Sequence, residues 1–251
     1  MSPAPEFVSP ESAPLLEVCV LHPRDAAAAT EGEADRLLLL AEPDTGGRSP
    51  EPSSISAVLR ETDLPVRVML RVDDGLSCDG AQFVRLVALA RTCLELGADG
   101  VSFGFLDHDL EIDRGTCAAL ASELVGVGWT FHRGFDAALE PRRAWRDVLG
   151  LPGLDAVASA GSTRGLAAGG DELLGRVRAD PRIAALLLAS GGLDAEYVAW
   201  LVRAGVRQFG LAEEVRPSGS WSKAYVDAAT VRAWRLLIDD AHQQALGVPV
   251  D

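Results

Sequence analysis

Short apolar runs alternate along the chain with longer segments in which apolar residues recur every three or four positions. The first residues of these runs are spaced by roughly 20–34 positions, the period expected of β-strand–α-helix units. We predict eight strands, at Leu16–Val20, Arg36–Leu40, Val66–Leu70, Gly100–Phe103, Trp129–His132, Ala156–Ser159, Ala184–Ala189 and Gln208–Leu211. The pattern therefore indicates an α/β fold.

The segments between the runs predict helices. Gly80–Leu96 has the clearest three-to-four spacing of apolar residues. Pro141 suits the first turn of one helix, and Asp194 suits the cap of another. The last helix is predicted from Lys223 to Leu246, and Glu42–Ser54, rich in Pro, Gly and Ser, is predicted as a long loop after strand two.

Eight strands that alternate with helices within 251 residues indicate a single (βα)8 TIM-type barrel. We expect it to occupy residues 15–251, after a flexible N-terminal tail formed by residues 1–14. An open, doubly wound sheet is the rival architecture. Because no GxGxxG motif follows the first strand, the dinucleotide-binding form of that fold is disfavoured.

The net charge and the composition of the chain restrict the classes of binding partner that we expect. A net charge of −14 disfavours binding to nucleic acid and to anionic membranes, and no apolar run approaches the roughly 20 residues that span a bilayer. The N-terminus lacks the basic and apolar regions of a secretory signal. Four dispersed cysteines without a CxxC pair are typical of a reduced, cytoplasmic protein. Small cations and small molecules remain as partners.

The alternation of side chains predicts which polar residues face the barrel lumen. The apolar residues of strands one, three and five suit the helix-facing side, so Glu17, Cys19, Arg71 and His132 point inward. In this type of barrel, alternate strands fill each lumen layer. We therefore expect these four side chains to converge.

The residue types that converge in the lumen suggest proton transfer and the binding of an anion. A buried carboxylate needs a charged partner, and Arg71 is predicted to pair with Glu17. A glutamate–histidine pair suits proton transfer, so Glu17 and His132 are candidate catalytic residues, with Arg71 and Arg133 as a clamp for a ligand anion. A buried polar cluster that only fixes the register of the barrel is the alternative interpretation.

The loops after the later strands hold further candidate ligand-binding residues. Asp136 follows strand five, Ser159 ends strand six, and Gly191 and Gly192 follow strand seven. Barrels of this type often bind phosphate through backbone N–H groups in the loops after strands seven and eight. Paired glycines also make tight turns, so both interpretations of Gly191 and Gly192 stay open.

Several motifs occur in an order and at a spacing that match one known family. They are Leu16-Glu17-Val18-Cys19-Val20, Pro65-Val66-Arg67-Val68-Met69-Leu70-Arg71, Leu96-Gly97-Ala98-Asp99-Gly100-Val101, Phe131-His132-Arg133-Gly134-Phe135-Asp136 and Gly191-Gly192. Through them the chain resembles the CutC family from Leu15 to Gly210. The resemblance implies a (βα)8 barrel, a cytoplasmic setting, a homo-oligomer, expected here as a homodimer, and a role in copper homeostasis with Cu(I) as the bound ion.

The chain departs from the family pattern where copper would bind. Family members typically carry a second lumen cysteine at the end of strand two, where this chain has Leu40, and a histidine where it has Gly210. A Cu(I) site needs at least two soft ligands. Cys19 is thus a candidate metal ligand without its usual partner, with Met69 and His132 as the remaining donors. Three functions stay open: Cu(I) handling, an enzyme or binder of a small anionic or phosphorylated molecule, and a diverged scaffold.

Overall fold

The structure is a computed structural model that describes residues 12–221 and 224–247. Its strands are β1 (Leu15–Val20), β2 (Arg36–Leu39), β3 (Val66–Met69), β4 (Gly100–Phe103), β5 (Trp129–Phe131), β6 (Leu154–Ser159), β7 (Leu187–Ser190) and β8 (Gln208–Leu211). The α-helices are α1 (Pro23–Glu31), α2 (Pro52–Leu59), α3 (Gly80–Glu95), α4 (Arg114–Ser122), α5 (Pro141–Val148), α6 (Leu166–Ala179), α7 (Pro181–Leu186), α8 (Ala195–Arg203) and α9 (Ala228–Leu246).

The eight strands form a closed parallel barrel, in which each strand pairs with the next and β8 returns to β1. Glu17 of β1 lies opposite Arg36 of β2 on one side and Gly210 of β8 on the other. The predicted (βα)8 barrel is confirmed, and the open sheet is excluded. Closure brings the C-terminal ends of all eight strands to one rim, where ligand sites of such barrels lie.

Capping residues and prolines explain where several of the helices begin. The Asp79 carboxylate accepts the Gln82 backbone N–H at 2.8 Å, and the Gln82 side chain accepts the Asp79 N–H at 2.7 Å, which fixes the start of α3. Pro141 opens α5, as predicted. Asp194 caps α8 by accepting the Glu196 N–H at 2.8 Å, which also confirms the prediction.

Three predicted boundaries are wrong by three residues or more, and others differ by one or two residues. Strand β7 begins at Leu187 rather than Ala184, because Asp180 and Pro181 start the short helix α7 immediately before it. Helix α9 begins after Asp227, whose carboxylate accepts the Thr230 N–H, rather than at Lys223. The predicted loop Glu42–Ser54 contains a 3-10 turn and the first residues of α2.

Part of the predictions falls outside the described chain. Of the predicted tail, residues 1–11 lie outside the described residues, as do 222–223 and 248–251. Within the ranges that the structure describes, no helix combines the length and the hydropathy needed to cross a membrane.

The barrel is packed on both sides of its wall. Outward-facing strand residues such as Leu16, Val18 and Val20 are fully buried beneath the helices, as the alternation predicted. The N-terminal end of the lumen is closed by a polar floor formed by Arg36, Arg67, Asp155 and Gln208. There the Arg67 guanidinium donates to the Asp155 carboxylate at 2.7 Å, and the Gln208 amide donates to the Asp155 carbonyl at 3.0 Å.

Candidate functional site

A cavity of about 490 Å³ opens above the polar floor, at the C-terminal ends of the strands. Its walls are inward-facing strand side chains, namely Glu17, Cys19, Leu38, Leu40, Met69, Ser102, His132, Ala158, Leu188 and Ser190. Loop residues complete the rim, among them Arg133, Gly191, Gly192, Glu213, Glu214 and Trp221. A concave space of this size, mainly apolar with a few polar groups, is typical of small-molecule sites.

Glu17 lies at the base of the cavity and is paired with Arg36. The Arg36 Nε donates to Glu17 Oε2 at 2.6 Å, and both residues are buried. The predicted pair between Glu17 and Arg71 is therefore wrong. Register explains the difference, because Arg36 lies directly opposite Glu17 in the neighbouring strand. The pairing offsets the charge of the buried carboxylate, which would otherwise be costly.

Arg71 lies outside the large cavity and holds two rim loops together. Its guanidinium donates to the carbonyl oxygens of Thr45 at 2.7 Å, Gly47 at 3.2 Å and Asp74 at 2.6 Å. Burial lowers the pKa of Arg71, partly against the nearby acidic residues. Because these carbonyls take up the guanidinium N–H groups, the prediction that Arg71 clamps a ligand anion is corrected. Its role is to fix the loop after β2 to the loop after β3.

His132 enters the cavity as a neutral ring with a defined tautomer. Its Nδ1 accepts the backbone N–H of Gly134 at 2.9 Å, so the proton of the neutral imidazole resides on Nε2. Burial, and secondly the charge of Arg71, lowers the pKa of His132 to about 4. Within the described part of the chain, Nε2 has no hydrogen-bond partner. At neutral pH, His132 therefore offers an N–H donor to the cavity rather than a basic nitrogen.

Arg133 is positioned at the rim by residues beneath it. Its guanidinium donates to Asp136 Oδ2 at 3.0 Å and to the Ser162 carbonyl at 3.0 Å, while the Ser159 hydroxyl donates to Asp136 Oδ1 at 2.6 Å. The guanidinium lies against Gly191, where a Cβ atom would collide with it. Burial raises the pKa of Asp136, and the hydrogen bonds oppose this.

Two predicted ligand-binding residues are thereby reassigned. Asp136 and Ser159 do not line the large cavity; they orient Arg133, which does. The physical reason is that the turn after β5 directs the Asp136 carboxylate back toward β6, where the Ala160 backbone N–H also donates to it at 3.0 Å.

The glycine loop after β7 already holds an anion, the carboxylate of Glu214. Glu214 Oε1 accepts the backbone N–H groups of Gly192 at 2.8 Å and Leu193 at 3.0 Å, and Oε2 accepts that of Ala212 at 2.6 Å. Gly191 and Gly192 both have positive φ, at 89° and 82°, which only glycine adopts readily. The backbone N–H of Gly192, which was predicted to bind a ligand anion, thus binds a side chain of the same protein.

Cys19 lies in an apolar corner of the cavity. It packs against the cluster of Leu38, Leu40 and Met69, so Leu40 fills the place of the second thiol that the family resemblance implies. Burial, and secondly the charges of Glu17 and Glu214, raises the pKa of the Cys19 thiol. Cys19 is therefore a protonated thiol at neutral pH, and it must lose this proton before it ligates a metal.

The side chains that lie near Cys19 in the described structure give little support to a metal centre with several protein ligands there. The one group of three His, Cys, Asp or Glu side chains that comes within sharing distance in those ranges is Asp107, His108 and Asp109, on the exposed loop between β4 and α4. The remaining soft or borderline donors of the cavity are Met69 and His132.

Sequence reasoning missed four positions in or beside the cavity. The Ser102 hydroxyl is fully buried, lines the cavity and has no hydrogen-bond partner in the described structure, and the Ser190 hydroxyl is also without one. The alternation in β4 and β7 was enough to place both serines inward. Arg36 and Glu214 carried no such signal, because strand register and loop conformation decide where their side chains lie.

Comparisons with known proteins agree with this architecture. The model of the CutC family matches residues 14–215. Family protein CutC of Klebsiella pneumoniae (strain 342) is 29% identical over 195 residues, covering 77% of this chain and 78% of that protein. Family protein CutC of Xylella fastidiosa is 30% identical over 196 residues, covering 77% of this chain and 73% of that protein.

Solved structures show the same fold at lower identity. The crystal structure of the proposed copper homeostasis protein CutC from Streptococcus agalactiae superposes with a TM-score of 0.69 at 21% identity, covering 78% of this chain and 97% of that one. Phosphoribosyl anthranilate isomerase from Thermococcus kodakaraensis gives a TM-score of 0.59 at 14% identity, covering 90% and 99%. The barrel, the ordered motifs and the extent of the family match lead to one conclusion: the chain belongs to the CutC family.

Proposed function

We propose that the barrel binds a small organic acid, a hydroxylated carboxylate, in the cavity at the C-terminal rim. The observation that carries the proposal is the fully buried, unpartnered Ser102 hydroxyl in a cavity whose rim is lined by Arg133 and whose wall is lined by His132. Buried polar groups normally have hydrogen-bond partners, and an orphan in a ligand-sized cavity points to a missing one.

The donors facing the cavity suit a carboxylate. Arg133 uses Nε and Nη2 toward Asp136 and Ser162, and its Nη1 makes no hydrogen bond to any described residue. The Nε2–H of His132 is the second open donor. A guanidinium and a neutral imidazole N–H together satisfy the two oxygens of a carboxylate, while Ser102 and Ser190 suit hydroxyl groups of the same ligand.

The charge of the site favours a monoanion. The acidic groups Glu17 and Asp136 are each paired with an arginine, and Glu214 adds a negative charge at the rim. A dianion would bring a second negative charge close to Glu214, while the cations of the rim are Arg133, shared with Asp136, and Arg164, whose exposed charge is screened by water. A single carboxylate on an otherwise neutral, hydroxylated molecule therefore fits best.

We assign different roles to Glu17 and His132, the first as a hydrogen-bond acceptor and the second as a donor. Glu17, held by Arg36, accepts a hydrogen bond from the ligand and is the candidate proton acceptor if a reaction follows. His132 acts as a hydrogen-bond donor to the ligand carboxylate, because its low pKa and its occupied Nδ1 oppose a role as base. The cavity in the lumen favours ligand binding over a scaffold-only role.

The test is a thermal-shift measurement with lactate, glycerate and glucuronate on wild type and Arg133→Gln. We expect at least one of the three to stabilise wild type, and Arg133→Gln to lose roughly tenfold or more in affinity, the effect of a charge-assisted hydrogen bond. Arg85→Gln, which removes an equal charge from the exposed face of α3, is the matched control. The proposal is wrong if none of the three binds, or if Arg133→Gln binds as wild type does.

Cu(I) is a second candidate ligand of the same cavity. It is favoured by the presence of Cys19 and Met69 in one cluster, with His132 on the same cavity wall, and by the copper homeostasis assigned to the Streptococcus agalactiae protein. A thiolate, a thioether and an imidazole form a weaker site than two thiolates, and burial of the Cys19 thiol opposes its ionisation.

An anaerobic Cu(I) competition against a chromogenic chelator tests this candidate on wild type, Cys19→Ser and Leu40→Cys. Cys78→Ser, at a half-buried cysteine outside the cavity, is the control. If Cys19 is a copper ligand, Cys19→Ser loses the copper, Cys78→Ser keeps it, and Leu40→Cys binds it more tightly. If wild type and Cys78→Ser both fail to compete, the copper role lapses for this chain.

A further inference from the structure

The loops after β7 and β8 form a cradle of backbone donors, defined by the N–H groups of Gly192, Leu193 and Ala212. All three point at the carboxylate of Glu214, at 2.6 to 3.0 Å. The same loops of other (βα)8 barrels are where phosphate groups bind.

We propose that Glu214 is a specificity-determining residue that fills this cradle and so excludes phosphorylated ligands from the cavity. The inference rests on the proposed function and deepens it: the accepted ligand is a carboxylic acid without a phosphate group. Its acidic group binds at Arg133, whose guanidinium lies against Gly191, beside the filled cradle.

The hydrogen bonds indicate that Glu214 excludes a second anion by occupying the donors of the cradle, and not only by repelling its charge. Three short hydrogen bonds to one carboxylate leave no donor of the cradle for a second anion. Because Glu214 belongs to the same chain, two residues from Ala212, its effective concentration exceeds that of a free anion. A ligand phosphate would have to displace the carboxylate and leave it close to the incoming charge.

A second observation marks the space beside the cradle as a ligand site. The Ser102 hydroxyl is fully buried and aims into the same cavity without a partner in the described structure, and the Ser190 hydroxyl, on the strand that leads into the cradle, is likewise unpartnered. The filled cradle and the open hydroxyls together indicate a cavity whose ligand binds its charge at Arg133 and not at the cradle.

The test uses inorganic phosphate as the probe, by calorimetric titration and by its effect on the melting temperature. Wild type, Glu214→Ala and Glu213→Ala are compared. Glu213 is exposed and lines the same rim, and its carboxylate makes no hydrogen bond to the cradle, so its variant removes an equal charge while the cradle stays filled. If Glu214→Ala does not fold, Glu214→Ser, which is also too short to reach all three N–H groups, replaces it.

We expect phosphate to bind Glu214→Ala roughly tenfold or more tightly than wild type, and Glu213→Ala to behave as wild type. The inference is overturned if Glu214→Ala gains no phosphate affinity, if wild type binds phosphate equally well, or if Glu213→Ala gains as much. The result is independent of the carboxylate panel. A phosphate gain with no carboxylate bound to wild type would refute the proposed function and leave the filled cradle standing.

Discussion

The buried neutral His132 makes a quantitative prediction about stability and pH. Its pKa is about 4 in the folded protein, against 6.5 for an exposed imidazole. Between these values the unfolded chain binds a proton that the folded chain does not, so stability falls as the pH drops from the upper value to the lower. The full loss is ~3 kcal/mol, and ~2 kcal/mol of it is present at about pH 5.

The assay is urea unfolding of wild type and His132→Asn at about pH 7.5 and about pH 5. Asparagine cannot titrate, but its amide oxygen is able to accept the Gly134 N–H. All other titrating groups are common to both proteins, so the difference between their pH dependences isolates His132. We expect wild type to lose ~2 kcal/mol more than His132→Asn on acidification. Parallel pH profiles would refute the reasoning and show that His132 is charged or exposed in the folded state.

Further predictions follow from the packing. Asp25→Asn breaks an ion pair with Arg216 in which both side chains are fully buried, and should cost ~3–5 kcal/mol of unfolding free energy in urea titrations. Gly104→Ala places a Cβ against the ring of Phe131, and a loss of ~1–3 kcal/mol is expected from the same assay. Ser102→Ala removes an orphan hydroxyl, so thermal unfolding should show unchanged or raised stability while affinity for the bound carboxylate falls.

Much of the barrel was predictable because its signals are local. Apolar runs gave β4 and β8 their observed bounds, and Pro141 and Asp194 marked helix starts. The error at β7 arose because Ile183–Ala189 is a continuous apolar run, in which periodicity does not separate the end of a helix from a strand. Asp180 and Pro181 carried the deciding signal.

The candidate site was predictable only in part. Alternation along β1 and β5 placed Glu17, Cys19 and His132 at the cavity, since one strand fixes which way its own side chains point. It did not reveal that Arg36 pairs with Glu17, because this depends on the register between strands. Long side chains at the rim were harder still, as Arg71 shows by turning to loop carbonyls. The homodimer and the cytoplasmic setting stay predictions.

The position of the Glu214 side chain could not be predicted from the sequence. Nothing local in the sequence distinguishes it from Glu213, its neighbour in an acidic pair. Only the conformation of two loops brings its carboxylate to the N–H groups of Gly192 and Leu193. Backbone donors carry no sequence signature of their own, so a cradle that depends on them becomes visible in the fold and not before it.

The most direct test of the central claim is an NMR titration of protein labelled with 15N in its arginine and histidine side chains. The ligand is the carboxylate that gives the largest thermal shift among lactate, glycerate and glucuronate. We expect saturable shifts of the Arg133 Nη and His132 Nε2 signals, while Arg71, bound to loop carbonyls, provides an internal control that stays unchanged. Saturable binding that leaves the Arg133 and His132 signals in place would contradict the proposal that these two residues hold the ligand.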